Sequence, residues 1–459
     1  MNSKRLALVS LNMLGQPIGL VHLASWVEDR LPDWSVRVID TNWEDPETIL
    51  SRERFDVIGI SSMTTAFERA RRLARTLKRR GIQAPIIIGG VHVSTCSEHH
   101  HPEFDAVISG EGEAKLGYYL EHGTVPPDEK IDLSQYPDLN FGHYHEATWR
   151  PKILRHWQAS VVEATLLTSR GCPFRCRFCA TTQFWHRYRA HTPDWVVRQL
   201  QALAEKGADR IAVWDDLFTV NKGRLRAIAE RFENAQLQKV IKGMSVQGRA
   251  DVIDEETCDY LRRMNVEWVG FGLESGSNRV LKYLKNQHAS VAQNGRAMSI
   301  CRRAGIKTGG SIMMGNPTET VREMMQTIWW TATAWRHGAY DINAFVATPY
   351  PGTEFWDIAL AHGRVSDTMS FDELTLNRSF GTRARMLSIA RWKFLFLLAL
   401  LEIALLPYKV AKAWRLTAAF LKQRLARSRK GDGVGLGRSR ARGGELEVGP
   451  VANQTSSRR

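Results

Sequence analysis

Cysteine is scarce in this chain, with six thiols in 459 residues. Three of them fall within eight residues, so a disulfide-stapled secreted scaffold is not expected. Long hydrophobic runs are scarce as well. The strongest, Phe394–Leu406, is interrupted by Glu402 and closed by Pro407, short of the roughly 20 residues that span a bilayer. The opening residues, MNSKRLALVSLNMLG, lack the apolar core and small-residue cleavage site of a secretory leader and read as a first strand. Nothing recurs at a period of roughly 20–50 residues, which argues against a solenoid. The net charge of +15 is uneven: thirteen Lys/Arg face three Asp/Glu after Pro407, so ten of the excess charges lie there. The rest is only mildly basic, and no specific nucleic-acid face is expected. With 43% apolar and 24% charged residues, the chain has the composition of a soluble globular protein. Its length suits two or three domains.

Residues 1–125 alternate strand-like and helix-like segments. Strands are expected at 4–10, 36–40, 56–61, 85–89 and 106–109, and helices at 18–30 and 66–80. This alternation predicts a doubly wound parallel sheet. Residues 126–155, with Pro126, Pro127 and Pro137, are expected to form a linker or a domain-bridging segment. Over 156–370 a second α/β series places strands at 164–168, 210–214, 244–247, 268–273, 307–314 and 341–347. Six such units predict a partial (β/α)6 TIM-like barrel. Residues 371–430 are expected to be a helical extension, and the Gly-, Arg- and Ser-rich stretch 431–459 a disordered basic tail. The fold class is therefore α/β.

The thiol cluster reads SRGCPFRCRFCA over 169–180, with Cys172, Cys176 and Cys179. Spacings of four and three also share one face of a helix, but Gly171 and Pro173 favour a loop. A zinc site would need a fourth protein ligand, with His186 or His191 in range. Three thiolates suit a [4Fe–4S] cluster with one iron left open, since ferredoxin-type clusters take four cysteines.

Polar groups gather where the predicted barrel strands end: Asp215 and Asp216, Gln247 with Arg249, Glu274, and Gly315 with Asn316. In β/α barrels the carboxyl ends of the strands build the site. Each position is also explained by an ordinary polar turn; the repetition across strands favours a shared mouth.

CxxxCxxC after a strand, with Phe178 before the third cysteine, resembles the radical S-adenosylmethionine (SAM) superfamily. The resemblance implies a cluster on Cys172, Cys176 and Cys179 that binds and cleaves SAM. It also implies Phe178 beside the adenine, and Asp215 and Asp216 as acceptors for the SAM amino group. Gln247, Arg249 and Glu274 would meet the ribose or carboxylate, and the backbone of Gly310, Ile312 and Gly315 would approach the adenine. The segment GNPTE departs from the usual wording after that strand, which leaves Asn316 and Thr318 without a carried-over role. The N-terminal pattern GISSMTTAFERARRLARTLKRRG, PIIIGGVHVS and FDAVISGEGE is similar to the cobalamin-binding domains fused to radical SAM domains. There Ser61, Ser62, Gly89, Gly90, Gly110 and Gly112 leave room at the carboxyl edge of a parallel sheet, where cofactors bind. The Asp-x-His-x-x-Gly loop that gives cobalt a histidine is absent, so cobalt without such a ligand and a domain that no longer binds cobalamin both stay open.

The expected activity is SAM cleavage followed by cobalamin-dependent methylation of an unactivated carbon. Rearrangement, oxidation or cyclisation without methyl transfer, and simple electron carriage, are the alternatives. A small-molecule substrate is expected, with a lipid suggested by the basic and apolar alternation over 409–430, which is the pattern of a helix on an anionic membrane surface. An external electron donor such as flavodoxin or ferredoxin is implied. The expected location is the cytoplasm, peripheral on the inner face of the membrane. His92 is expected near the cofactor face, the run His99–His101 in a solvated loop, and Cys96, Cys258 and Cys301 as ordinary small residues. Trp185, Tyr188 and Arg189 are expected either to cover the cluster or simply to pack.

Overall fold

A computed structural model describes residues 3–11, 15–96, 102–127, 130–153, 160–185, 187–286, 289–366, 369–374, 386 and 390–431. The expectations for His99–His101, His186 and the tail beyond 431 lie outside these residues.

The first domain runs β1 (Lys4–Ser10), α1 (Ile18–Arg30), β2 (Trp34–Asp40), α2 (Pro46–Arg52), β3 (Val57–Ser61), α3 (Phe67–Arg79), β4 (Ile86–Gly89), α4 (Val91–Thr95), β5 (Ala106–Ile108) and α5 (Glu113–His122). The five strands pair in the order β2-β1-β3-β4-β5, all parallel. β4 is continuously apolar and its isoleucines are buried, as a strand covered by helices on both faces must be. Ser61 and Gly89 pair in register, and the turn at Gly110 follows β5, so these positions share one carboxyl edge.

Residues 130–151 are a packed strap that bridges the two domains. Ile131, Leu133, Tyr136, Leu139, Phe141 and Tyr144 are buried in one core with Ile18 and Val21 of α1 and with the second domain. Pro137 O accepts from Trp195 Nε1 at 3.0 Å, and the Tyr144 hydroxyl donates to Thr165 O at 2.8 Å. The strap folds as short 3-10 turns capped by the side chains of Asp132, Asn140 and His145. Turns this short leave no helical or strand period to read.

After a two-residue antiparallel pair, β6 (Lys152–Ile153) and β7 (Ser160–Val161), the second domain begins with β8 (Glu163–Leu166). A short ribbon, β9 (Ser169–Arg170) and β10 (Arg189–Ala190), brackets α6 (Thr181–Trp185). Then come α7 (Pro193–Glu205), β11 (Arg210–Val213), α8 (Lys222–Asn234), β12 (Gly243–Gly248), α9 (Glu255–Arg263), β13 (Val266–Glu274), α10 (Asn278–Leu284), α11 (Val291–Arg303), β14 (Lys307–Met314), α12 (Val321–Thr333), β15 (Ala339–Val346) and α13 (Glu354–Ala361). Six strands, β15-β14-β13-β12-β11-β8, form one parallel sheet in chain order. This is the expected partial barrel.

α14 spans Arg391–Gly431 without ending at Pro407. The bond that Pro407 forfeits would have gone to the carbonyl of Ile403. Both residues lie on the outer side of the helix, where that carbonyl can turn outward. The expected short apolar segment is therefore part of a longer one: Arg391–Ala418 is long and apolar enough to cross a membrane, by length and composition. One side of it, with Phe394, Leu397, Leu401, Leu405 and Tyr408, is buried on the barrel.

Candidate functional site

The cysteine loop is held from its first residues. Asp215, at the end of β11, is 1% exposed. Its carboxylate accepts from Thr168 N (2.6 Å), Thr168 Oγ1 (2.6 Å), Ser169 N (3.0 Å) and Ser169 Oγ (2.6 Å). Four donors use up its acceptor capacity. Asp215 is therefore the anchor of the loop, which corrects its expected part in receiving an ammonium group. Asp216 stays open at the mouth, accepting from Gly171 N and Thr181 Oγ1, both at 3.1 Å. Gly171 has φ +80°, and a Cβ there would stand 2.4 Å from Arg187 O, so glycine is required where the loop turns.

Burial pushes the Cys172 thiol up to about 11 and raises Cys176 and Cys179 as well. At Cys176 the Arg249 guanidinium pulls the other way, with Nη1 at 3.4 Å from Sγ. The three sulfurs lie close enough to influence one another. Yet among the described residues no three His, Cys, Asp or Glu converge as ligands of one metal ion. His191, one proposed fourth zinc ligand, is 1% exposed and stacked 3.8 Å from Trp195.

Arg249 is buried, held by Asp251 at 2.7 Å and lying 3.8 Å over the Phe174 ring. Its Nη2 has no partner among the described residues, although buried donors are normally satisfied. Glu274 takes a left-handed conformation, φ 57°; burial raises its carboxyl, and Lys285 stands 3.9 Å away. Gln247 lies over Gly270, where a Cβ would approach its Oε1 to 2.4 Å. Arg249, Glu274 and the cysteine loop are thus brought together at Cys176. Gly310 and Ile312 are directed elsewhere: a Cβ at Gly310 would strike Leu273, and Ile312 is in the helix-side core. Only their backbone can face a ligand in the barrel. Gly315 has φ +88° and lies beside the Phe394 ring. Phe178 packs toward Phe355, centroids 6.3 Å apart.

A cleft of ≈ 280 Å³ opens at the carboxyl edge of the first sheet. Ser61, Ser62, Gly89, Gly90, Gly110 and Gly112 all line it. Gly90, with φ +98°, has no room for a Cβ, which would lie 2.8 Å from Ser62 O. The far wall comes from the barrel side, with Leu167, Arg170, Phe184 and Trp185. His92 is not in this wall; it is fully buried between Phe67 and Phe371, with centroids 3.9 and 4.6 Å away. Cys258 and Cys301 are buried with their sulfurs 3.7 Å apart.

Between cleft and cysteine loop lies an ion-pair network absent from the sequence-based expectations. Arg170, 2% exposed, pairs with Glu113 and reaches Glu111 at 3.4 Å; Arg189 also pairs with Glu111. The Tyr136 hydroxyl donates to Glu113 at 2.9 Å. Burial, the largest single influence, raises the Glu113 carboxyl, but the charge and hydrogen bond of Arg170, a backbone N–H and the Tyr136 hydroxyl together hold it below its ordinary value. The segment GEGE draws notice for its glycines; its glutamates gain meaning only when a second domain supplies the arginines.

Residues 4–117 match the family model of the B12 binding domain, and residues 166–330 that of the radical SAM superfamily. An uncharacterized methyltransferase of Pyrococcus horikoshii is 29% identical over 386 residues, 76% of this chain and 79% of that one. The hopanoid C-3 methylase of Methylococcus capsulatus is 24% identical over 327 residues, 65% of this chain and 60% of that one. A solved radical SAM methyltransferase of Kitasatospora setae, with cobalamin and a [4Fe–4S] cluster bound, shares the fold at TM-score 0.63 and 19% identity, covering 79% of this chain and 76% of that one.

Proposed function

We infer, from a chain that belongs to the radical SAM superfamily and carries a B12-binding domain ahead of its barrel, that this protein is a cobalamin-dependent radical SAM methyltransferase. The observation that carries the reading is the shared wall: Arg170 lines the first-domain cleft and stands two residues before Cys172, so the two cofactor sites adjoin. When bound, the cluster and SAM supply a carbon-centred radical and cobalamin supplies the methyl group.

This chain's own residues do the binding and orienting. Cys172, Cys176 and Cys179 would hold the cluster as thiolates, and at Cys176 the Arg249 guanidinium favours the thiolate. Arg249, through its unpartnered Nη2, offers a buried donor to the carboxylate of SAM. Asp216 is the acceptor left for the SAM ammonium. Glu274 and Gln247 lie on the same mouth for the ribose, and the backbone of Gly310, Ile312 and Gly315, with Phe178, is assigned to the adenine. Gly89, Gly90, Gly110 and Gly112, with Ser61 and Ser62, let the corrin and its tail approach the sheet edge.

The substrate is proposed to be a lipid-like small molecule, supported by the likeness to the hopanoid methylase and by the apolar C-terminal helix. The enzyme is proposed to work in the cytoplasm at the inner face of the membrane, with electrons from a flavodoxin or ferredoxin. The test is anaerobic reconstitution with cobalamin, a reductant, methyl-deuterated SAM and a lipid extract. A product heavier by one labelled methyl, with 5′-deoxyadenosine formed alongside, is expected. Absence of any SAM cleavage by protein carrying a full cluster would overturn the reading.

A further inference from the structure

The outer side of α14 is as apolar as its buried side. Trp392 is 68% exposed and Trp414 75%, and between them Phe396, Ile403, Leu406 and Val410 are exposed as well. These residues follow one another at steps of three, four and, from Phe396 to Ile403, seven, all of which return to the same side of a helix, so they form one stripe, about 33 Å long at the rise of an α-helix. Nearby, α12 exposes Trp329 (72%) and the turn after it Trp335 (57%). A helix on a water-facing barrel has a polar outer side, and an apolar surface this extended marks an interaction site.

We propose that this face docks into the interfacial zone of an anionic lipid bilayer, with α14 lying in the membrane plane. Charge selects the bilayer over other occupants. Arg391 and Lys393 stand at one end of the helix, and Lys422, Arg424, Arg427, Arg429 and Lys430 follow toward the other; Glu402 is the one acid from Arg391 to Gly431. A second copy laid face to face would set cations against cations, whereas anionic headgroups meet them with opposite charge. Tryptophans flanking an apolar stripe are suited to the headgroup boundary. The inner side of α14 is committed to the barrel, where Tyr408 donates to Thr331 O at 3.0 Å, so the helix lies flat and does not cross.

The docked pose also fixes where the site opens. Phe394 lies against Gly315, just past the carboxyl end of β14, so the start of α14 marks the mouth end of the barrel. The bilayer then meets the rim through which a substrate enters. That last step rests on the proposed lipid-like substrate; docking itself does not, and is measured without cofactors.

The experiment uses the full-length chain and sedimentation with vesicles of phosphatidylcholine, alone or mixed with phosphatidylglycerol, at low and high salt. Binding to the mixed vesicles that weakens with salt is expected, with tryptophan emission quenched by brominated lipid. The variant W392A/F396A/W414A is expected to bind at least about tenfold more weakly while keeping its circular dichroism. A second variant, W329A/W335A, is expected to lose part of the quenching. No binding to either vesicle at low salt would overturn the proposal, as would a dimer of the native chain that the triple variant abolishes.

Discussion

Replacing Glu113 by Gln leaves Arg170 buried at the domain seam without its main counter-charge. In the native chain two guanidinium groups, Arg170 and Arg189, face two carboxylates, Glu111 and Glu113, all nearly excluded from water. The variant asks Glu111 to serve both arginines and leaves one positive charge in excess. Breaking a buried ion pair from one side costs about 3–5 kcal/mol, and removing both partners for apolar ones of like volume costs far less. Because Glu111 still reaches Arg170 at 3.4 Å, the low end, about 3 kcal/mol, is expected for Glu113→Gln. Arg170→Met should cost a similar amount, and the double variant Glu113→Gln/Arg170→Met, which leaves no buried charge of this pair unmatched, should recover most of it. The assay is urea unfolding of the four proteins, with hydrogen exchange read over residues 110–120 and 166–172. A loss largest in those two segments, and a strongly non-additive cycle, are expected. Additivity within about 0.5 kcal/mol would mean the groups do not act as a pair and would refute the reasoning. A pH series adds a sign. The Glu113 carboxyl is held below its ordinary value, so its stabilisation is present above that value and fades as pH falls through the lowered one.

Other outcomes follow from single contacts. Changing Cys172, Cys176 or Cys179 to Ala should abolish the reconstituted iron–sulfur absorbance; a full complement of iron in all three variants would remove the cluster assignment. Asp215→Asn should lower cluster yield without touching a ligand, because it loses part of a four-donor anchor, and iron content equal to the native protein's would show the anchor to be dispensable. Gly90→Ala should weaken cobalamin binding, read by equilibrium dialysis, since a Cβ there crowds Ser62; unchanged affinity would argue against the cleft as the site. Glu323, held to about 2 by Arg279 and the turn of Thr320, should stabilise the fold above its ordinary value near 4.5, with that contribution lost as pH falls toward 2. A Glu323→Gln variant that melts like the native chain at neutral pH would contradict this.

The layout of both sheets could be read from the sequence because parallel strands buried on both faces, such as Ile86–Gly89, leave continuous apolar runs. The cysteine loop and the six cleft positions were equally legible, since local spacing and glycine carry their own reasons. What was not legible depends on partners far along the chain. Asp215 and Asp216 look alike as neighbours, yet only the fold turns one inward to Thr168 and Ser169. The strap was hidden by its brief turns, and Glu111 and Glu113 by arginines more than 50 residues away. The length of α14 was obscured by a proline whose missing hydrogen bond falls on the outer side.

The strap also decides how the protein melts. Ile18 and Val21 of the first domain share one hydrophobic core with Tyr136, Phe141, Trp195 and the barrel strands. Neither half can open without baring that common interior, so heat should unfold the two together in a single cooperative step. A ligand taken up by either half then stabilises the whole chain by mass action. Corrin loading at one end would be visible in the calorimetric transition of the other, even before any iron is supplied.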